Sequence, residues 1–199
     1  MRTVIIAVSA YISLMIFSNL GSLRILGIAG LAVDGGTLLY PLSFTMRDVL
    51  HKKLGQKLTV LTVWLCAGVN LLMFLFVWLV SVLPAHPDAG AQTEYAQVLA
   101  PGIRLVLASI AGMTVSELID TIVYGKARQR WGEKKQWLRV VLSNGVSVPI
   151  DTAIFLLIAF AGRYPVSVII SMFFANIIIK YAVSLASVWS VYLVREDRA

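Results

Sequence analysis

Long apolar runs alternate along the chain with short stretches that carry its charges, and prolines and glycines gather near the breaks. A helix of roughly 20 apolar residues, rising 1.5 Å per residue, crosses the ~30 Å hydrocarbon core of a bilayer with every backbone N–H and C=O paired. Six such helices are predicted: Thr3 to Leu20, Gly36 to Leu50, Leu58 to Leu83, Ile103 to Tyr124, Trp137 to Ala161 and Pro165 to Val194. The second is short and contains Pro41. A Gly-rich loop, GSLRILGIAGLAVDGG, precedes it and is apolar enough to dip back into the membrane. The stretch from Pro84 to Gly102, with three prolines, reads as a second loop. No internal repeat or low-complexity tract is visible, and residues 1–199 read as a single transmembrane domain.

The basic residues orient these helices, because Lys and Arg are retained in the cytoplasmic loops. Thirteen of the 17 fall on one side and three (Arg24, Arg104 and Arg163) on the other, with Lys180 inside the sixth segment. This alternation predicts a six-transmembrane-helix bundle, an all-α membrane protein of a bacterial-type inner (plasma) membrane with both termini in the cytoplasm. Arg2 and the apolar run after it resemble the start of a signal peptide. The run continues to Leu20 without a small-residue cleavage site, so it reads as the first membrane helix.

Composition agrees. The chain is 59% hydrophobic and 14% charged, with a mean hydropathy of +0.85, whereas a soluble domain is about half apolar and about a quarter charged. The net charge of +7 is read as topology. The basic loop from Lys126 to Lys135 has no nucleic-acid recognition motif, so no nucleic-acid partner is expected. A lone Cys66 forms no disulfide within the chain, and His51 and His86 lie on opposite sides. No Ser sits in a nucleophile elbow and no phosphate-binding loop is present. No catalytic residue, metal or cofactor is therefore expected, and the chain does not read as an enzyme.

Candidate chemistry lies inside the membrane. A charged side chain at mid-bilayer costs on the order of 3 kcal/mol or more, so each should face the bundle interior and mark a site. The fourth segment carries Glu117 and Asp120 on one face, the fifth carries Asn144, Ser147 and Asp151 as one stripe, and the sixth carries Asn176 and Lys180 one turn apart. Counting from the outer helix ends puts all of them in one mid-to-outer zone. Lys180 must pair there with Glu117, Asp120 or Asp151. Three acids against one base leave acceptors that hydrocarbon cannot satisfy and that a solute rich in N–H donors would. A guanine-type edge presents adjacent N–H groups to one carboxylate, with Phe44, Tyr40, Phe155 and Phe173 as candidate stacking surfaces. Asn19 and Asn70 read equally as site or as interhelical glue. Asp34 reads as a helix cap.

The segments SNL, DGGTLLYPLSFTMRDVLHKKLG, SELIDTIVYGKARQRWGEKKQWLRVVLSNGVSVPIDTAIFLL and NIIIKYAVS together resemble the queuosine-precursor transporter family, also called the vitamin uptake transporter family. The resemblance spans nearly the whole chain. It implies a fold similar to the substrate-binding components of energy-coupling-factor transporters, and uptake of a 7-deazaguanine precursor such as 7-cyano-7-deazaguanine. It directs attention to Asn19, Asp48, Glu117, Asp120, Asn144, Asp151 and Lys180, with Asn176 in the same pocket between the fourth, fifth and sixth helices. One departure is DVLHKKLG, where the family leads one to expect an acid near His51 to Lys53. The implied partners are a small-molecule base, membrane lipid and an energising module. The alternatives are uptake of another vitamin-like solute and a structural membrane role.

Overall fold

A computed structural model describes residues 2–131 and 136–193; the side chains of Phe44, Asp48, His51, Glu117, Asp120 and Asn144 are among those outside the described residues. Helix α1 (Arg2–Gly21) is followed by an antiparallel hairpin of β1 (Ile25–Ile28) and β2 (Leu31–Asp34), then a 3-10 turn (Gly35–Leu38). Helices α2 (Tyr40–Val82), α3 (Thr93–Leu99), α4 (Gly102–Trp131), α5 (Gln136–Phe160) and α6 (Val166–Leu193) complete the chain.

The apolar loop expected before the second helix is thus a hairpin, a small addition to an otherwise helical protein. Ala29 and Gly30 both have positive φ, 51° and 78°, which makes the two-residue turn that matches the twist of paired strands. Its register sets Ile25 opposite Asp34 and Ile28 opposite Leu31. The hairpin is pinned to α6 where Ser171 Oγ accepts from Ala32 N at 2.8 Å. Two glycines seat its exit on the end of α1: a Cβ at Gly36 would lie 2.0 Å from Ser22 Oγ, and one at Gly35 would lie 2.5 Å from Gly21 O.

Helix α2 begins at Tyr40, not Gly36, which puts Pro41 in the first turn, where its missing N–H costs nothing. The separate second and third helices expected from the sequence are residues 40–54 and 56–82, joined through Gly55 alone, whose φ of 74° and ψ of 171° are non-helical. Leu50 and Cys66 share one buried cluster with Ala7 and Tyr11 of α1. In a straight helix they would be roughly 24 Å apart, so the chain folds back at Gly55. The loop from Pro84 to Gly102 also contains structure, the short α3.

Helices α4, α5 and α6 share a second core of Leu105, Ala108, Leu156, Ala159, Phe160 and Met172. Pro149 inside α5 cannot donate to the carbonyl one turn back. Tyr181 Oη of α6 donates to that orphan, Gly145 O, at 3.2 Å. Arg104 closes the other end of α5, its Nε donating to Ile158 O and its Nη2 to Ala161 O at 2.7 Å, a cation on the negative end of a helix.

Among the described residues, Val4–Gly21, Lys57–Val82, Thr93–Ser116 and Val166–Val183 are helical stretches long and apolar enough to cross a bilayer, and Gly145–Phe160 is a shorter apolar helix. Their outer faces bear large apolar side chains: Ile6 and Leu72 are each 68% exposed and Phe76 65%. Such a surface is stable against acyl chains and not against water. The chain is a largely helical, multi-pass membrane protein.

Candidate functional site

Asn176 and Lys180 lie one turn apart on α6 and are both buried. Lys180 Nζ donates to Asp151 Oδ2 at 2.8 Å and to Thr152 Oγ1 at 3.0 Å, both on α5. It also stands 5.1 Å from the centre of the Tyr40 ring. The expected pairing of Lys180 with an intramembrane acid is therefore made by Asp151. The ion pair uses only one carboxylate oxygen. No described residue donates to Asp151 Oδ1, which faces α4 at Gly112, where a Cβ would lie 2.8 Å away. A glycine there lets α4 approach α5 closely beside that oxygen.

Asp34, at the end of β2, is 2% exposed. Its Oδ1 accepts from Ser22 Oγ at 2.8 Å and from Thr37 N at 3.2 Å. Its Oδ2 accepts from Asn176 Nδ2 at 2.9 Å and lies 2.5 Å from Thr37 Oγ1, which is also 2.5 Å from Asn176 Oδ1. Asp34 does cap the 3-10 turn before α2, and it also ties α1, the hairpin and α6 together. On the other side of α1, Asn19 Nδ2 donates to Asn70 Oδ1 at 2.8 Å, and Asn70 Nδ2 donates to Cys66 O at 2.9 Å.

These groups surround two adjoining cavities. The first encloses about 370 Å³, its mouth included, with Asp34, Thr37, Asp151, Phe155, Asn176 and Lys180 in its wall. The second, of about 530 Å³, runs between α1, both halves of α2 and α4, past Met15, Arg47, Cys66 and Asn70. Asn19, Tyr40 and Ser109 belong to both. The walls of the smaller cavity combine aromatic and polar side chains, as small-molecule sites do.

Of the residues singled out from sequence, Asp151, Asn176, Lys180 and Asn19 share this wall. Glu117 and Asp120 of α4 and Asn144 of α5, like Asp48 and Phe44 of α2, have side chains outside the described residues. Tyr40 and Phe155 line the cavity, whereas Phe173 packs against the α4–α5–α6 core, edge-on to Phe174 with centroids 5.6 Å apart. The cavity draws on more elements than the fourth, fifth and sixth helices expected to form the site: α1, the hairpin and the start of α2 contribute, while α4 offers Ser109 among the described residues. Sequence reasoning missed Asp34, Thr37 and Ser22 as wall residues. The available signal was an acid placed between an apolar strand and two glycines.

Residues 34–194 match the family model described as "Putative vitamin uptake transporter". A protein of Bacillus subtilis (strain 168) described as "Probable queuosine precursor transporter" is 31% identical over 182 residues, covering 90% of this chain and 79% of that protein. No solved structure matches the chain. With a core of buried polar side chains inside an apolar helical shell, and with this match over most of its length, the chain belongs to the vitamin uptake transporter family.

Proposed function

We propose that this protein imports a precursor of queuosine, 7-cyano-7-deazaguanine or a close 7-deazaguanine relative, and binds it in the cavity walled by Asp34, Asp151, Asn176 and Lys180. The carrying observation is the half-used carboxylate of Asp151, a residue of the cavity wall: Lys180 holds Oδ2, and Oδ1 has no donor among the described residues. A carboxylate fixed in this way accepts N–H groups from a 2-amino-pyrimidinone edge, while Tyr40 and Phe155 offer faces for the ring. Asn19, Asn144, Glu117 and Asp120 complete the proposed set. Lys180 holds the Asp151 carboxyl in place. The named relative supports the solute class.

In this reading residues 1–199 form one domain of six membrane crossings, similar to the substrate-binding components of energy-coupling-factor transporters. Both termini face the cytoplasm of the inner membrane. Solute, lipid and an energising partner module are its partners. The family description favours a second reading, uptake of another vitamin-like solute through the same cavity.

The test is a strain unable to make queuosine, fed each candidate precursor with and without this protein, followed by assay of its tRNA for the modified base. Modification should require the protein, and Glu117→Gln or Asp151→Asn should abolish it while the variants still reach the membrane. Normal modification with both variants refutes the site. Competition by an unrelated vitamin, and none by 7-deazaguanines, selects the second reading.

A further inference from the structure

Along three elements the residues that line the two cavities fall in one order. On α1, Ser22 and Ser18 line the smaller cavity, Asn19 lines both, and Met15 and Tyr11 line only the larger. On the chain that leads into α2, Thr37 lines the smaller, Tyr40 both, and Ser43 and Arg47 the larger; on α4, Ser109 lines both and Met113 the larger. The cavities are therefore stacked along the helix axes, and at 1.5 Å per residue the span from Ser22 to Tyr11 is about 16 Å. In each element the order runs toward the end that the basic residues mark as cytoplasmic, with Arg2 on α1, Arg47 on α2 and Lys126 on α4.

The amide at the boundary is oriented by its partners. Cys66 O is a backbone carbonyl and can only accept, so Asn70 must turn its Nδ2 toward it, at 2.9 Å, with Cys66 Sγ 3.6 Å away. Asn70 Oδ1 then faces α1 and accepts from Asn19 Nδ2 at 2.8 Å. That bond uses the nitrogen of Asn19 and leaves its Oδ1 with no donor among the described residues, on a side chain that is only 6% exposed. A buried carbonyl oxygen without a donor is costly, and an N–H group brought to it removes that cost. The bond to Asn70 also keeps the Asn19 amide from turning its nitrogen to the same position.

We propose that the larger cavity is a second binding station for the same solute, a planar base with ring N–H donors, and that Asn19 hands the base inward from the cavity of Asp151. Asn19 Oδ1 is the next acceptor for an N–H of the base, and Tyr40, in both walls, supplies ring surface on either side of the boundary. Further in, Tyr11 offers a second aromatic side chain and Ser43 a hydroxyl. The route thus runs between α1, α2 and α4 and leaves the α5–α6 contact, with its Lys180–Asp151 pair, closed. The second station rests on the transport reading above; the opening of the larger cavity to the cytoplasm does not.

Met113→Trp and Ala67→Trp fill the larger cavity from α4 and from α2 at positions that do not line the smaller one. Labelled 7-cyano-7-deazaguanine is bound to the purified variants in detergent, and its uptake is followed in proteoliposomes. Both variants should bind label with close to wild-type affinity, which also shows that they fold, and their uptake should fall to background. Binding together with wild-type uptake in either variant overturns the second station. The chain's single cysteine, Cys66, lines the larger cavity and gives a readout that needs no variant. A small membrane-impermeant methanethiosulfonate should modify it several-fold faster in inverted vesicles, cytoplasmic face out, than in spheroplasts, and 7-cyano-7-deazaguanine should slow the reaction. Modification that this solute does not slow overturns the station. Cys66 left unmodified in inverted vesicles, or modified equally from both sides, overturns the inward opening. If the wild type neither binds nor takes up label, the transport reading fails, and the sidedness of Cys66 modification still decides the opening.

Discussion

Lys180 and Asp151 form an ion pair with side chains 6% and 13% exposed. Breaking such a pair costs more than replacing it, because the survivor is left as an uncompensated buried charge at about 3–5 kcal/mol, whereas an apolar substitution of both is often neutral. Lys180→Met alone should therefore lower the melting temperature in detergent, and Lys180→Met combined with Asp151→Leu should recover most of it. Uptake should stay absent in the double variant; a double variant that transports would show that the pair only fixes the helices. Gly112→Ala acts on the same carboxylate from α4, since its Cβ would meet Asp151 Oδ1 at 2.8 Å and the backbone O at 3.1 Å. We expect normal insertion and at least a tenfold loss of solute affinity, read by equilibrium binding. The Lys180 pairing was legible in the sequence because a lone intramembrane cation must find an acid. Asp34 was not, because its partners Ser22, Thr37 and Asn176 reach it from three elements, and the hydroxyl residues Ser22 and Thr37 carry no membrane penalty that marks them in advance.

Among the elements, α2 turns back on one residue. Gly55 at φ 74° and ψ 171° occupies a region almost closed to L side chains, and a Cβ there would meet nothing within 4 Å. The strain in Gly55→Ala is thus purely conformational, of the order of 1–3 kcal/mol, and should appear as a lower melting temperature with a milder effect on uptake. The opposite sign is expected in the hairpin. Ala29 holds a left-handed φ of 51°, which Asn tolerates better, so Ala29→Asn should raise thermal stability. Tyr181→Phe leaves Gly145 O without the donor that compensates for Pro149, and a destabilisation of about 1 kcal/mol is expected in a thermal-shift assay. The end of α5 and the start of α6 were readable to within a residue or so, from long apolar runs ended by Gly and Pro. The hairpin was hidden because ILGI and LAVD are short and wholly apolar, a pattern shared by strands and by re-entrant loops.

At the scale of the molecule, the apolar shell and the segregated basic residues carry the topology. A reporter fused to either terminus should be active only if the cytoplasmic form is used; an active periplasmic fusion at the C-terminus would overturn the proposed six crossings. The helices are uneven: the first half of α2 is short, α5 is interrupted by Pro149, and α4 continues past its apolar part into a basic end. Asn19, Tyr40 and Ser109 face both cavities, so the wall dividing the protein's interior is no thicker than one layer of side chains. In the proposed function a solute held beside Asp151 is therefore a rotamer change or two from the chamber that Arg47 helps to line. Side-chain swings of that kind are fast beside any rocking of helix bundles. The slow step of a transport cycle should accordingly lie in the movement of whole elements, and not in the passage from one chamber to the other.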